Sequence, residues 1–330
     1  MEEKPYLVTG AAGFVGSFMV KLLSERGIPT RAMMRKKSQG RELIDLPKVE
    51  VIEADLCDED SLRKAVDGVQ GVYHIAALFR QAGHPDSVFR EVNVNGTRRL
   101  LDLSIAAGVS RFIHCSTVGV LGHIDDPPAT EETPYNPGDI YQETKMEGEQ
   151  LVLEYLRDGL ISGVVIRPAM IYGPGDERTL KLFRMVSRGK FFYVGKGLAT
   201  VHWIDVRDLV KSFYLAMNAS ERNGEVYIIS GEKAEPLRTM CEIVARELGV
   251  KPPWLHLPVK PMQWLGSLCE AVCTPIGIEP PIFRRRVDFF TKDRSFDSSK
   301  ARAQLGFEPA QTFEAELRDI ISEYKLKQML

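Results

Sequence analysis

Tyr6-Leu7-Val8-Thr9-Gly10-Ala11-Ala12-Gly13-Phe14-Val15-Gly16 opens the chain with a strand-like run, a glycine-rich turn and the start of a helix. Phe14, Val15, Phe18, Met19, Leu22 and Leu23 recur at helical period, and Gly27 suits the left-handed position that closes such a helix. Glycines between strand and helix let the backbone turn tightly, approach a pyrophosphate and pack the helix close to the sheet. The helix N-terminus adds free N–H groups and the positive end of a dipole. An ordinary tight turn has the same composition, but the strand before and the helix after favour a dinucleotide site. Gly10, Gly13, Phe14 and Val15 are its expected contacts.

Outward from this unit, short β-branched or apolar runs alternate with amphipathic stretches. Thr30–Met34, Val49–Ile52, Val72–Ala76, Arg111–Cys115 and Gly163–Ile166 read as strands. Ser61–Val66, Val92–Ala107 and Tyr141–Arg157 read as helices between them. Alternation implies parallel pairing through right-handed crossovers, hence an α/β, doubly wound (Rossmann) sheet over residues 1–168. Beyond it, prolines at 252, 253, 258, 261, 275, 280 and 281 break the chain into short pieces. Residues 169–330 are therefore expected to form a smaller, mostly helical substrate-binding cap. Segments near 200–230 (Val206–Ala219 and Val226–Ile229) are expected to rejoin the large sheet. Trp254–Cys273, rich in Trp, Leu and Met, reads as cap core, with an apolar pocket or a membrane surface as alternatives.

The bulk numbers exclude several classes. The 330 residues are 44% hydrophobic, ample for a large core, and 43 basic against 45 acidic residues leave a net charge of -2. That balance gives no attraction to nucleic acid or to an anionic membrane. No apolar run approaches the roughly 18 residues of an integral membrane segment. The start, Met1-Glu2-Glu3-Lys4-Pro5, runs straight into a strand-like segment, so no secretory leader is expected there. Cys57, Cys115, Cys241, Cys269 and Cys273 show no paired metal spacing, and His74, His114 and His202 read as satisfied core residues. No metal and a reduced, cytoplasmic setting are expected.

An acid at the end of the second strand would hold a ribose 2′-hydroxyl, whereas a base there can hold a 2′-phosphate. Arg35-Lys36-Lys37 occupies that place, which favours NADP, with NAD as the alternative and a solvated basic turn as the plain one. Asp55 is placed either to accept from the adenine amino group or to cap the following helix.

Tyr141 and Lys145 lie one turn apart on one helix face. A phenol with a pKa of about 10 is a poor proton shuttle near neutrality. A cation beside it lowers that value, and a shift of about 3 units takes about 4 kcal/mol. A partly desolvated Lys together with an oxidised nicotinamide is a plausible source of that much. The pair alone is common on helix surfaces. Ser116-Thr117, at the carboxyl edge of the Arg111–Cys115 strand, adds hydroxyls where such folds bind ligands.

With these motifs in this order, the chain resembles the extended short-chain dehydrogenase/reductase family over nearly its whole length. Thr9-Gly10-Ala11-Ala12-Gly13-Phe14-Val15-Gly16 is similar to TGxxGxxG, and Asn93-Val94-Asn95-Gly96-Thr97 to NVxGT. His74-Ile75-Ala76-Ala77 is similar to the segment passing the nicotinamide ribose, and Arg167–Pro174 to the RPxxxYGP stretch at the carboxamide. The resemblance implies Tyr141 as acid/base, Lys145 as ribose anchor, Thr117 as orienter of the substrate oxygen and Asn93 in the catalytic set. Threonine at 117 keeps the hydroxyl that the family uses there. It also implies cofactor contacts at Leu56 beside Asp55, at Ala76 and Ala77, and at Pro168 and Ile171, together with Tyr141 and Lys145.

No Arg comes shortly before the Thr200–Val206 part of the Gly197–Val206 stretch, where nucleotide-sugar relatives often carry one, and the tail Glu279-Pro280-Pro281-Ile282-Phe283-Arg284 and Phe296–Ala301 with Leu305-Gly306-Phe307 is closer to the 3β-hydroxysteroid dehydrogenase-like branch. Phe191-Phe192-Tyr193 and the Trp-rich segment suit an apolar substrate. The leading expectation is thus an NAD(P)-dependent oxidoreductase that interconverts a secondary alcohol and a ketone on a hydrophobic small molecule. A nucleotide-sugar epimerase/dehydratase and a non-catalytic dinucleotide sensor are the alternatives. A homodimer is a family-level expectation.

Overall fold

Parallel strands need crossovers, and the chain supplies them in turn. The computed structural model describes residues 3–79, 83–273 and 290–330. β1 (Tyr6–Thr9) runs into α1 (Phe14–Glu25) and β2 (Thr30–Met34), and α2 (Arg41–Ile44) leads to β3 (Val49–Glu53). Next come α3 (Glu59–Val66), β4 (Gly71–His74), α4 (Asp86–Arg90), α5 (Gly96–Ala106) and β5 (Arg111–Cys115). The long α6 (Ile140–Arg157) returns as β6 (Gly163–Pro168).

These strands and β10 (Glu225–Ile229) form one seven-stranded sheet, in the spatial order β10-β6-β5-β4-β1-β2-β3. Every pairing in it is parallel. The order reverses at β1, flanked by β2 and β4, which opens a crevice at their carboxyl ends. A sheet covered on both faces reads as continuous apolar strands, and every residue of β5 and β6 is buried. One face packs Met19, Leu209, Phe213 and Phe307, and the other Leu62, Leu100 and Val152.

The rest of the chain builds on this sheet. β7 (Met170–Tyr172) and α7 (Glu177–Ser187) lead into β8 (Tyr193–Val194) and β9 (Thr200–Asp205). α8 (Val206–Asn218) packs back on α1, β5 and β6. β11 (Ala234–Pro236), α9 (Leu237–Leu248), β12 (His256–Leu257) and α10 (Val259–Cys273) follow. β7, β9 and β11 make a small three-stranded sheet. α9 packs against α7 and the helix Phe313–Leu326 around Tyr172, Phe183, Val244 and Tyr324. The helix Ser299–Leu305 lies on β10 and α8, so part of the tail also belongs to the large layer.

Two elements differ from the sequence expectation for local reasons. β4 ends at His74 rather than Ala76, because the Thr9 hydroxyl accepts from the N–H groups of Ile75 (3.0 Å) and Ala76 (3.1 Å) and draws the backbone out of the ladder. The helix expected over Val92–Ala107 is broken in kind: a π turn, Glu91–Asn95, precedes α5 and turns Asn93 into the interior. Such one-residue widenings recur at functional sites.

Candidate active site

Each glycine of the first turn meets a different demand. Gly10 has φ +68, and a Cβ there would sit 2.9 Å from Ala76 Cα, so both conformation and proximity call for glycine. A methyl at Gly16 would drive into the Gly10 carbonyl oxygen, so helix α1 packs on the turn only without one. Gly13 is exposed, and an added Cβ would meet nothing nearer than the Gly10 oxygen at 3.1 Å. No side chain caps α1. A cavity of about 520 Å³ runs from the start of α1 along its flank, lined by Gly13, Phe14, Ser17, Lys21, Pro174 and Gly175 among others. An uncapped helix start behind an open glycine turn is suited to a diphosphate. The residues present fit a dinucleotide.

The outer sites are less uniform. Arg35, Lys36 and Lys37 are exposed past β2, but the Lys37 N–H donates to a Glu53 carboxylate oxygen at 2.7 Å. An acid therefore does stand beside the end of β2, supplied by the neighbouring strand β3 at the register Met34↔Glu53. Asp55 accepts from the Cys57 N–H at 2.9 Å, while the cap position of α3 belongs to Asp58, so the helix-capping alternative for Asp55 is corrected. Leu56 is 4% exposed and packs against Gly96, so it offers a ligand little surface. Phe14 and Val15 in the first turn of α1, Ala76 and Ala77 after β4, and Ile171 in β7 are all at least partly exposed. Pro168 ends β6.

The residues expected to react are carried by the carboxyl end of β5 and by the start of α6. Asp139 accepts from the Gln142 N–H at 2.9 Å, so α6 starts with Tyr141 in its first turn. Lys145 follows one turn later, 4% exposed, and its Nζ donates to the Cys115 carbonyl at 2.6 Å. Thr117 lies two residues beyond that carbonyl, and its hydroxyl accepts from the Gly119 N–H at 3.0 Å. Gly119 in turn lies close to the Gln142 side chain, next to Tyr141. Burial pushes the Lys145 pKa below its ordinary value, while Cys115 and Glu149 oppose that. Phe79 stands edge-on to Tyr141, with ring centroids 4.9 Å apart, and is 48% exposed.

Asn93 is 3% exposed. Its Oδ1 accepts from the Leu78 N–H at 2.7 Å, and its Nδ2 donates to the Leu78 oxygen and to Thr144 Oγ1. The side chain thereby ties the loop bearing Phe79 to the helix residue beside Lys145. His74 joins Thr9 Oγ1 and Thr97 Oγ1 at 2.9 Å each. Thr97 gives its own proton to the Asn93 oxygen, so His74 donates from Nε2 and accepts at Nδ1. Burial first, then Lys145, lowers its pKa to about 3. His202 is also satisfied, by the Gly231 oxygen and the Phe296 N–H. His114 departs from the expectation: neither ring nitrogen has a hydrogen-bond partner among the described residues.

Sequence reasoning missed Phe79, Glu53 and the buried pair Arg167–Glu149 (2.6 Å) behind the site. Glu149 stands one turn past Lys145 on the Tyr141 face, a spacing that signals a shared environment. Tyr172 of the Arg167–Pro174 stretch turns away into the cap and donates to Glu316. Phe191 and Tyr193, expected to suit a substrate, are buried in the cap core. The Trp254–Cys273 reading as cap core is corrected: Trp254 and Trp264 are each 81% exposed, and Leu268 is 61% exposed. Among the described residues no helix is long and apolar enough to cross a membrane, and no group of three or more metal-ligating side chains forms.

Known proteins show the same organisation. The chain is 31% identical to sterol demethylase protein B of Methylococcus capsulatus, over 98% of this chain and 99% of that protein. It is 30% identical to a 3 beta-hydroxysteroid dehydrogenase/Delta 5-->4-isomerase of Mycobacterium tuberculosis, over 96% of this chain and 90% of the other. The crystal structure of the protein gox2253 superposes with a TM-score of 0.83 at 30% identity, covering 99% of both chains. The profile of the NAD dependent epimerase/dehydratase family matches residues 6–230. With that match running from the glycine turn through β10, the chain belongs to the NAD dependent epimerase/dehydratase family and is an enzyme of its dehydrogenase type.

Proposed function

We propose that this enzyme interconverts a secondary alcohol and a ketone on a steroid-like or lipid-like skeleton, with NADP as cofactor. The observation that carries the reading is Lys145, a buried ammonium held on the Cys115 carbonyl, one turn from Tyr141 and beside the emerging Thr117. In oxidation Tyr141 takes the hydroxyl proton while the Thr117 hydroxyl orients the same oxygen, and in reduction Tyr141 returns it. The Lys145 charge favours the phenolate. A bound nicotinamide supplies or accepts the hydride at its C4. Asn93 acts from behind, by fixing Leu78 and Thr144.

The half-exposed Phe79 ring beside Tyr141 and the steroid names of the similar proteins support the apolar skeleton. The exposed Arg35 supports NADP.

Tyr141→Phe is expected to abolish oxidation of a 3β-hydroxysteroid and leave cofactor binding largely intact; retained turnover refutes the assigned role. A kcat/KM ratio favouring NADH over NADPH overturns the cofactor choice. Thermal stabilisation by a UDP- or dTDP-sugar without net change in NAD(P)H would replace the reading with an epimerase or dehydratase. Failure to consume NAD(P)H with any ketone would leave a dinucleotide sensor. The homodimer is tested by light scattering on the purified chain.

A further inference from the structure

One buried charged group near the site has no part in the proton transfer. Glu149 on α6 is 0% exposed. Its carboxylate accepts from the Ser116 hydroxyl, from the Tyr135 hydroxyl at 2.8 Å, and from Arg167 Nε at 3.0 Å and Nη2 at 2.6 Å. Arg167, 2% exposed, spends Nη1 on the Glu131 oxygen at 3.0 Å. Replacing such a pair by apolar groups is often neutral or stabilising, so stability alone gives little reason for it.

Its connections give a better one. Ser116 stands between Cys115, whose carbonyl takes Lys145, and Thr117, whose hydroxyl faces the substrate in the reading above. The Ser116 N–H donates to the Ile166 oxygen at 2.7 Å, so the residue is fixed at its backbone by β6 and at its side chain by α6. One carboxylate thereby sets the end of β5 against the helix that carries Tyr141 and Lys145.

We infer that Glu149 is a positioning residue for the reaction: through Ser116 it holds Cys115 and Thr117 in register with Lys145 and Tyr141, and its negative charge, one helical turn from Lys145, acts on the ammonium through space. This rests on the Tyr141–Lys145 reading. The titratable and charged groups around Lys145 are Glu149 and Tyr141 on α6, Cys115 and His114 on β5, His74 on β4, and Arg167 on β6 through its pair with Glu149. Both histidines are kept neutral by burial, so Glu149 is the carboxylate that opposes the desolvation of Lys145.

The test uses the full chain, with Tyr141→Phe as the spectroscopic blank. Phenolate absorbance of Tyr141 is titrated without substrate, and kcat and KM are measured against pH with a 3β-hydroxysteroid and NADP. Removing a negative charge lowers every nearby pKa. Eight residues of helix put Glu149 about 12 Å from Tyr141, so at an effective dielectric near 20 Glu149→Gln is expected to lower the Tyr141 midpoint by about one pH unit. Both limbs of the kcat profile should shift the same way. Glu149→Asp keeps the charge and shortens the reach, so it should lower kcat and leave the midpoint in place. Ser116→Ala leaves the ion pair intact and should lower kcat up to about tenfold, the loss of one hydrogen bond, with cofactor KM and midpoint unchanged.

An unmoved midpoint in folded Glu149→Gln, or full kcat in Ser116→Ala, overturns the inference. If Glu149→Gln does not fold, Ser116→Ala and Glu149→Asp decide it. If the wild type turns over no 3β-hydroxysteroid, or Tyr141→Phe stays active, the functional reading fails separately, and the substrate-free titration still decides the charge claim.

Discussion

Replacing Glu316 by Gln should make the protein more stable above neutral pH. Glu316 lies on the helix Phe313–Leu326, 6% exposed, and accepts from the Tyr172 hydroxyl. Burial raises its pKa from 4.5 to about 7; the Tyr172 hydrogen bond opposes this, the nearby Asp205 and Asp208 add to it, and Arg207 also opposes it. A carboxyl whose pKa is higher folded than unfolded contributes stability that is fully present below the unfolded value and is lost as pH rises through the folded one. The window is therefore pH 4.5 to about 7. The shift of about 2.5 units corresponds to about 3 kcal/mol of stability lost across it. Gln keeps an acceptor for Tyr172 and carries no charge, so at pH 8 the variant should gain up to about 3 kcal/mol, several degrees of Tm. The wild-type profile alone is no measure of this, because His74, with its pKa lowered to about 3, gives the opposite trend. Its contribution is complete above its unfolded value and lost toward acid. The difference between the two proteins isolates Glu316. Thermal melts of both from pH 5 to 8 should converge at the acid end and separate toward the alkaline one. Parallel curves across the range would refute the reasoning.

Three further substitutions probe the cleft. Gly16→Ala forces a methyl into the Gly10 oxygen and should lower both Tm and cofactor affinity, whereas at Gly13 an added Cβ meets the Gly10 oxygen at 3.1 Å, so Gly13→Asp should fold at a smaller cost in Tm, yet weaken NADP binding tenfold or more by placing a carboxylate at the groove proposed for the diphosphate, about 1.4 kcal/mol or above. Calorimetric titration with NADP separates the two, and unchanged affinity in Gly13→Asp would displace the diphosphate from that groove. Phe79→Ser should raise KM for a 3β-hydroxysteroid more than it weakens cofactor binding, because the ring stands edge-on beside Tyr141. Steady-state kinetics with the substrate varied checks it, and an unchanged KM would take Phe79 out of the substrate path.

The fold was legible because its signals are local. Period in α1, alternation of strand and helix, and Gly10 at a positive φ each follow from a few adjacent residues, and together they allow little besides a parallel sheet with a crevice beside β1. The placement of Thr117, Tyr141 and Lys145 was legible for the same reason: the sheet edge is fixed by the strand ends and the helix face by spacing. Where β4 stops was not, since that depends on the Thr9 hydroxyl, some 65 residues away in the chain, competing for two N–H groups.

What escaped is mostly charge whose surroundings are set by distant chain. Glu149 within a polar-looking helix reads as solvated until Arg167, Tyr135 and Ser116 are brought to it from three other segments. Glu53 reads as the end of its own strand, although pairing sets it beside Arg35-Lys36-Lys37 and changes the local field at the turn after β2. Its hydrogen bond to the Lys37 N–H matters for how NADP discrimination should be measured. Loss of Glu53 by substitution to Gln would strengthen the basic character of the turn, so a binding preference for NADP should grow in Glu53→Gln if Arg35 faces the 2′-phosphate. It should stay unchanged if the basic run is only solvated. The ratio of NADP to NAD dissociation constants in that variant therefore separates the two readings of Arg35 without altering Arg35 itself.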